Sequence, residues 1–121
     1  MIKSFTDLDA WKEGHKLVLR IYRATVLFPD TERFGLTNQI QRAVVSITSN
    51  ISEGFSRNSD REKLNFFYIA LGSLTEVQNQ LLIARDLGYM SKESFKELAS
   101  QTVIVSKLIN ELIKSLKKHN T

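Results

Sequence analysis

The chain has 121 residues, room for one domain with a sizeable core and too little for two ordinary ones. It has no cysteine, which excludes disulfides, thiol catalysis and thiolate metal sites. It also shows neither a basic, apolar leader nor a run of about 18 uncharged apolar residues, so the expected protein is soluble, cytoplasmic and has no membrane partner. Seventeen Lys and Arg against thirteen Asp and Glu give a net charge of +4, which admits a polyanionic partner such as RNA or DNA. One Pro, five Gly and abundant Leu, Ile, Lys and Glu favour helices over sheet.

Thr6 and Asp9, three positions apart, make a capping arrangement that predicts a first helix over 7–28. Its buried side is expected to use Leu8, Trp11, His15, Val18 and Tyr22, flanked by Leu17, Ile21 and Phe28. Lys12, Lys16, Arg20 and Arg23 recur at helical spacing on one outward stripe, and Arg20 and Arg23 have no acid three or four positions away along the helix. Pro29 breaks the helix. A second helix over 36–53 follows, with Leu36, Ile40, Ala43, Val44, Ile47 and Ile51 as core stripe and Gly54 placed to end it in a left-handed conformation. Arg42, Ser46, Ser49 and Glu53 form a polar row along its flank, with Gln39 and Asn50 beside it.

Ser59 and Glu62 make a capping box for the third helix, 60–87. This helix has apolar residues on two sides. At about 100° per residue, Phe66, Ala70, Leu74, Val77, Leu81 and Ala84 fall on one side, and Leu64, Tyr68, Leu71 and Leu82 nearly opposite. A helix apolar nearly all round is a buried one, so the second side is the candidate oligomer interface. Gly72 in mid-helix suggests close approach of another backbone, that of the second helix. Leu87, Gly88 and Tyr89 end the third helix, Ser91 caps the fourth, 92–118, and residues 117–121 are expected to fray. Phe95, Leu98, Ala99, Val105, Leu108, Leu112 and Leu116 supply its inner face. The expected fold is all-α: an antiparallel up-down-up-down four-helix bundle that assembles as a homo-oligomer.

No catalytic constellation emerges. His15 lies three residues after Lys12 rather than after a Glu, which argues against a carboxylate-bridged metal centre. No serine sits in a nucleophile elbow and no glycine loop cradles phosphate. The expectation is therefore no enzyme, no metal and no cofactor. Arg42 and Glu76 should lie within a helical turn of each other across the second and third helices, so a partly buried ion pair supported by Ser46, Ser73 or Gln80 is expected. The basic stripe of the first helix, with Lys114, Lys117 and Lys118 near the other end of the chain, is the candidate nucleic-acid surface; it has no interleaved aromatics for base stacking, which points to sequence-independent backbone contacts.

Several segments together carry a family resemblance: FTDLDAW at 5–11, FPDTERFGL at 28–36, QIQRA at 39–43, NISEG at 50–54, FFYIALGSLTE at 66–76 and LGY at 87–89. In these the chain strongly resembles the bacterial ribosomal RNA intervening-sequence proteins. The resemblance implies a four-helix bundle that forms a ring-like homopentamer, and casts Arg42, Asn50, Glu53, Ser73 and Glu76 as a structural polar network. The chain is also similar to the accessory proteins of diversity-generating retroelements, basic pentamers that bind a reverse transcriptase and nucleic acid. The reading is a non-enzymatic bundle binding RNA or other nucleic acid, with a scaffold that docks a partner enzyme such as a reverse transcriptase as the alternative.

Overall fold

The computed structural model describes residues 1–119. Four helices, α1 (Asp9–Thr25), α2 (Leu36–Ser56), α3 (Asp60–Asp86) and α4 (Lys92–His119), form an all-α bundle, and the described residues contain no strand. Each helix packs against two others: α1 on α2 and α4, and α3 on α2 and α4. The core is a single apolar cluster in which Leu17, Ile21, Ile40, Ile47, Ile51, Leu74, Leu81 and Ile109 are fully buried.

The first helix is shorter than 7–28. Asp7, rather than Asp9, closes the cap: its carboxylate accepts from the backbone N–H groups of Lys3 and Ser4 at 2.9 and 3.0 Å, while the Ser4 hydroxyl accepts from Thr6 N at 3.2 Å. This makes a separate 3-10 turn over Phe5–Asp7, and α1 begins after it. The two backbone bonds also hold the Asp7 carboxyl below its ordinary range. At the other end Leu27 and Phe28 N–H groups bond to the Ala24 and Thr25 carbonyls, tightening the chain ahead of Pro29.

The buried side of α1 is also rotated from the expected one. Its centre is Ala10, Gly14, Leu17, Ile21 and Thr25, whereas Leu8, Trp11 and Val18 are half-buried and His15 and Tyr22 are exposed. Small residues decide this. A Cβ on Gly14 would lie 3.1 Å from the Thr48 methyl, so α1 seats against α2 where its side chains are smallest. Trp11 and His15 stack on each other instead, ring centroids 4.7 Å apart.

In α2 all six expected core residues are buried. The helix runs three residues past 53, however, and Gly54 lies inside it without a left-handed conformation. Its function is clearance: a Cβ there would sit 2.7 Å from the Phe67 ring and 3.1 Å from Phe66 Cβ. Gly72 has no such role, since nothing lies within 4 Å of the Cβ it lacks, and the expected backbone approach at that point is absent. The close α2–α3 contact falls one helix earlier in the sequence than the glycine reading placed it.

Ser59 caps α3 by accepting from Glu62 N at 3.2 Å, and Ser91 accepts from Ser94 N at 3.1 Å at the start of α4. Gly88, with φ 76°, ends α3: the N–H of Tyr89 bonds to the Ala84 carbonyl and that of Gly88 to Arg85. The Tyr89 hydroxyl then donates to Glu32 at 2.8 Å, tying the α3–α4 turn to the α1–α2 connection. Helix α4 continues through Lys117 to His119; the fraying expected of Asn120 and Thr121 lies outside the described residues.

Gly54→Ala and Gly72→Ala should therefore move stability in opposite directions. The first overpacks the Phe67 ring and is expected to cost about 1–3 kcal/mol; the second gains helix propensity in open space, about 1 kcal/mol. Urea denaturation of the two variants checks both signs.

Candidate nucleic-acid interface

Helix α1 presents Lys12, Lys16 and Arg23 exposed on its outer side, with Arg20 beside them half-buried. Two of the four are engaged. Lys16 Nζ donates to Glu13 at 3.0 Å. Arg20 Nη1 donates to Gln101 Oε1 at 3.2 Å, and its Nε lies 3.7 Å from the Glu97 carboxylate. The acid that Arg20 lacks along its own helix thus comes from α4. Arg23 has no ion-pair partner among the described residues.

Gln101 organises this side. It is only 3% exposed, and its amide donates to the Glu13 backbone carbonyl at 2.9 Å and to the Glu13 carboxylate at 3.2 Å while its oxygen accepts from Arg20. Lys16 first, and then Gln101, hold the Glu13 carboxyl below its ordinary range. Sequence reading missed Gln101 and Glu97. The available signal was a glutamine set between Leu98 and Val105 on the inner stripe of α4, a place where a polar side chain needs a partner.

Lys114, Lys117 and Lys118 are exposed near the far end of α4. Lys117 stands over the Tyr68 ring, 5.4 Å from its centroid, on the α3 side. The twenty residues between Glu97 and Lys117 make about 30 Å of helix, so these lysines and Arg20 do not share one face patch.

The polar row of α2 is divided. Ser46 and Ser73 hydroxyls bond at 2.8 Å, and the Asn50 amide donates to the Ser46 carbonyl at 2.7 Å and hydroxyl at 3.0 Å. Glu53 pairs with Arg57 at 3.1 Å, outside this group. Arg42 and Glu76 are level, as the Ser46–Ser73 contact four residues along shows, yet no ion pair forms between them. Both are exposed, where a hydrated guanidinium gains little from a carboxylate. Glu76 accepts instead from the Gln80 amide at 3.2 Å. Gln80 is 3% exposed and its Oε1 has no hydrogen-bond partner.

On the second side of α3, Leu64 and Leu71 are half-buried against the core, while Tyr68 and Leu82 are exposed, 43% and 42%. Leu82 and Val103 flank an apolar groove of about 180 Å³ between α3 and α4, floored by Leu81, Phe95 and Ala99. Among the described residues no three His, Asp or Glu side chains gather as a metal site, and no helix is long and apolar enough to cross a membrane.

The fold and these surfaces define a helical bundle with charged and apolar outer faces. The chain belongs to the 23S rRNA-intervening sequence protein family, whose model matches residues 6–111. A crystal structure of a protein of unknown function from the S23 ribosomal protein family of Bacteroides thetaiotaomicron is similar, with a TM-score of 0.80. The two chains are 24% identical, and the likeness covers 87% of this chain and 95% of that one, so it speaks for the fold. No curated protein matches.

Two outcomes follow from the buried amides. Gln80→Leu removes an orphaned acceptor and should raise stability by about 1 kcal/mol in urea melts. The Glu13 carboxyl is depressed in the folded state, so its contribution is present above the unfolded carboxyl range and lost as pH falls through the folded value. Glu13→Gln should accordingly lose less thermal stability than the parent between roughly pH 5 and pH 3.

Proposed function

We propose that the chain acts without catalysis, as an up-down-up-down bundle that self-assembles and binds RNA or another nucleic acid through the outer side of α1. The observation that carries this reading is the exposed line of Lys12, Lys16 and Arg23, of which Arg23 has no acidic partner among the described residues. The family's name, taken from ribosomal RNA, favours RNA as the polyanion. The line has no stacking aromatics between its cations, so contacts go to phosphates and depend on salt rather than sequence. Lys114, Lys117 and Lys118 act as a separate cationic site.

Assembly as a homo-oligomer, a pentamer by the resemblance, is supported by apolar area left open on two helices. Tyr68 and Leu82 on α3, Leu19 and Tyr22 on α1, and Val26 just after it are all at least two-fifths exposed. The exposed groove beside Leu82 and Val103 also favours a second reading, a scaffold that docks a protein partner, including an enzyme such as a reverse transcriptase. A cytoplasmic site of action accompanies both readings.

Light scattering on the purified chain is expected to give a multiple of the 13.9 kDa protomer mass; a monodisperse monomer at micromolar concentration overturns the assembly. Filter binding to duplex RNA should show affinity falling by about tenfold or more between 50 and 200 mM salt. Replacing Lys12, Lys16 and Arg23 by Gln should abolish most of it. Affinity that is absent at low salt, or unchanged in the triple variant, overturns the nucleic-acid reading.

A further inference from the structure

A hollow lies where the carboxyl end of α1 passes the amino end of α4. It has a volume of about 470 Å³ and is lined by Arg20, Arg23, Ser94 and Glu97 over an apolar floor of Ala24 and Leu98. A second hollow of about 290 Å³ adjoins it, sharing Ala24, Leu27 and Ser94 and continuing along Tyr89 and Met90. One half of the resulting trough is cationic, and the other is bounded by an aromatic, a thioether and an aliphatic side chain. The first hollow falls in the range of small-molecule sites, ~300–1,000 Å³, and the second lies just below it.

The two cations differ in how they are held. Arg20 is fixed by Gln101, a 3% exposed amide that is itself anchored on the Glu13 backbone carbonyl at 2.9 Å. Its guanidinium is therefore in place before a ligand arrives, which lowers the ordering cost of binding. Arg23, three residues along, has no ion-pair partner among the described residues and is free to close on an anion. Guanidinium forks suit the oxygens of a phosphate, and the Ser94 side chain on the shared rim adds a hydroxyl donor. Glu97 stands against a bare anion, because it already offers Arg20 a carboxylate at 3.7 Å. A ligand must add contacts beyond charge, and the adjoining recess is where they are available.

We propose that this trough is a nucleoside phosphate site, in which Arg20 and Arg23 take the phosphate and the recess along Leu27, Tyr89 and Met90 takes the base. The site shares Arg23 with the cationic line of α1 but uses neither Lys12 nor Lys16, so variants of those two lysines separate it from phosphate-backbone binding. Occupancy ties α1 to the α3–α4 turn, because the base bridges Leu27 and Tyr89.

The test is an NMR titration of the full isotope-labelled chain with adenosine 5′-monophosphate, with adenosine and inorganic phosphate run separately. The nucleotide should produce saturable shifts confined to residues lining the trough, at 20–27 and 88–98. Adenosine and phosphate should each bind about tenfold more weakly or worse, a tenfold step being the loss of one good contact. Arg23→Gln, an exposed change, should weaken the nucleotide about tenfold, Glu97→Gln should tighten it, and Lys12→Gln with Lys16→Gln should leave it unchanged. Equal binding of phosphate and nucleotide, shifts outside the trough, or an Arg23→Gln chain that binds as well as the parent overturns the site. Loss of RNA affinity with nucleotide binding intact overturns only the α1 backbone reading, and the converse overturns only the trough.

Discussion

Everything in this bundle is built on how closely α2 and α3 approach at Gly54. With no Cβ there, the Phe67 ring fits where a side chain would otherwise stand 2.7 Å away. That contact fixes the register along both helices, so that Ser46 meets Ser73 and Lys63 reaches back to the carbonyls of Phe55 and Gly54 at 2.8 and 3.4 Å. The lysine satisfies carbonyls that the end of α2 would leave open. Register and termination are thus one device, and Ile47, Ile51, Ala70 and Leu74 close the core behind it.

The remaining helices are seated by polar side chains as well as apolar ones. Thr102 and Gln101 are adjacent on α4 and both buried. The first accepts from Gln78 of α3 at 3.1 Å, and the second holds Glu13 and Arg20 of α1. Two adjacent residues therefore set α4 against both neighbours. Apolar packing tolerates sliding, whereas paired hydrogen bonds in a dry interior do not.

Where side-chain size and polarity agreed, the sequence was easy to read. The α2 stripe, the α3 bounds and the caps at Ser59 and Ser91 were legible because periodicity and capping chemistry point the same way. The α1 face was not: Leu8, Trp11, His15, Val18 and Tyr22 are the more apolar and aromatic set, but the helix buries the small residues Ala10 and Gly14 and sets Gly14 against α2. Hydrophobic pattern ranks affinity for the interior, while distance between backbones is set by volume. The same blindness placed at Gly72 the close approach that Gly54 makes. Of the candidate site, the basic row was legible, but its partial neutralisation was not, since Glu97 is 77 positions from Arg20 and only the α1–α4 packing joins them. The expected Arg42–Glu76 pair had the correct level and failed on exposure.

The rotation of α1 leaves the only tryptophan of the chain half-buried on an outer row, stacked face to face with His15 and met edge-on by Phe5 at 5.5 Å. An indole so placed senses whatever covers that row. Its emission is a native optical gauge of the outside of α1, readable in unlabelled protein, and a subunit or other macromolecule settling there must change its colour or brightness.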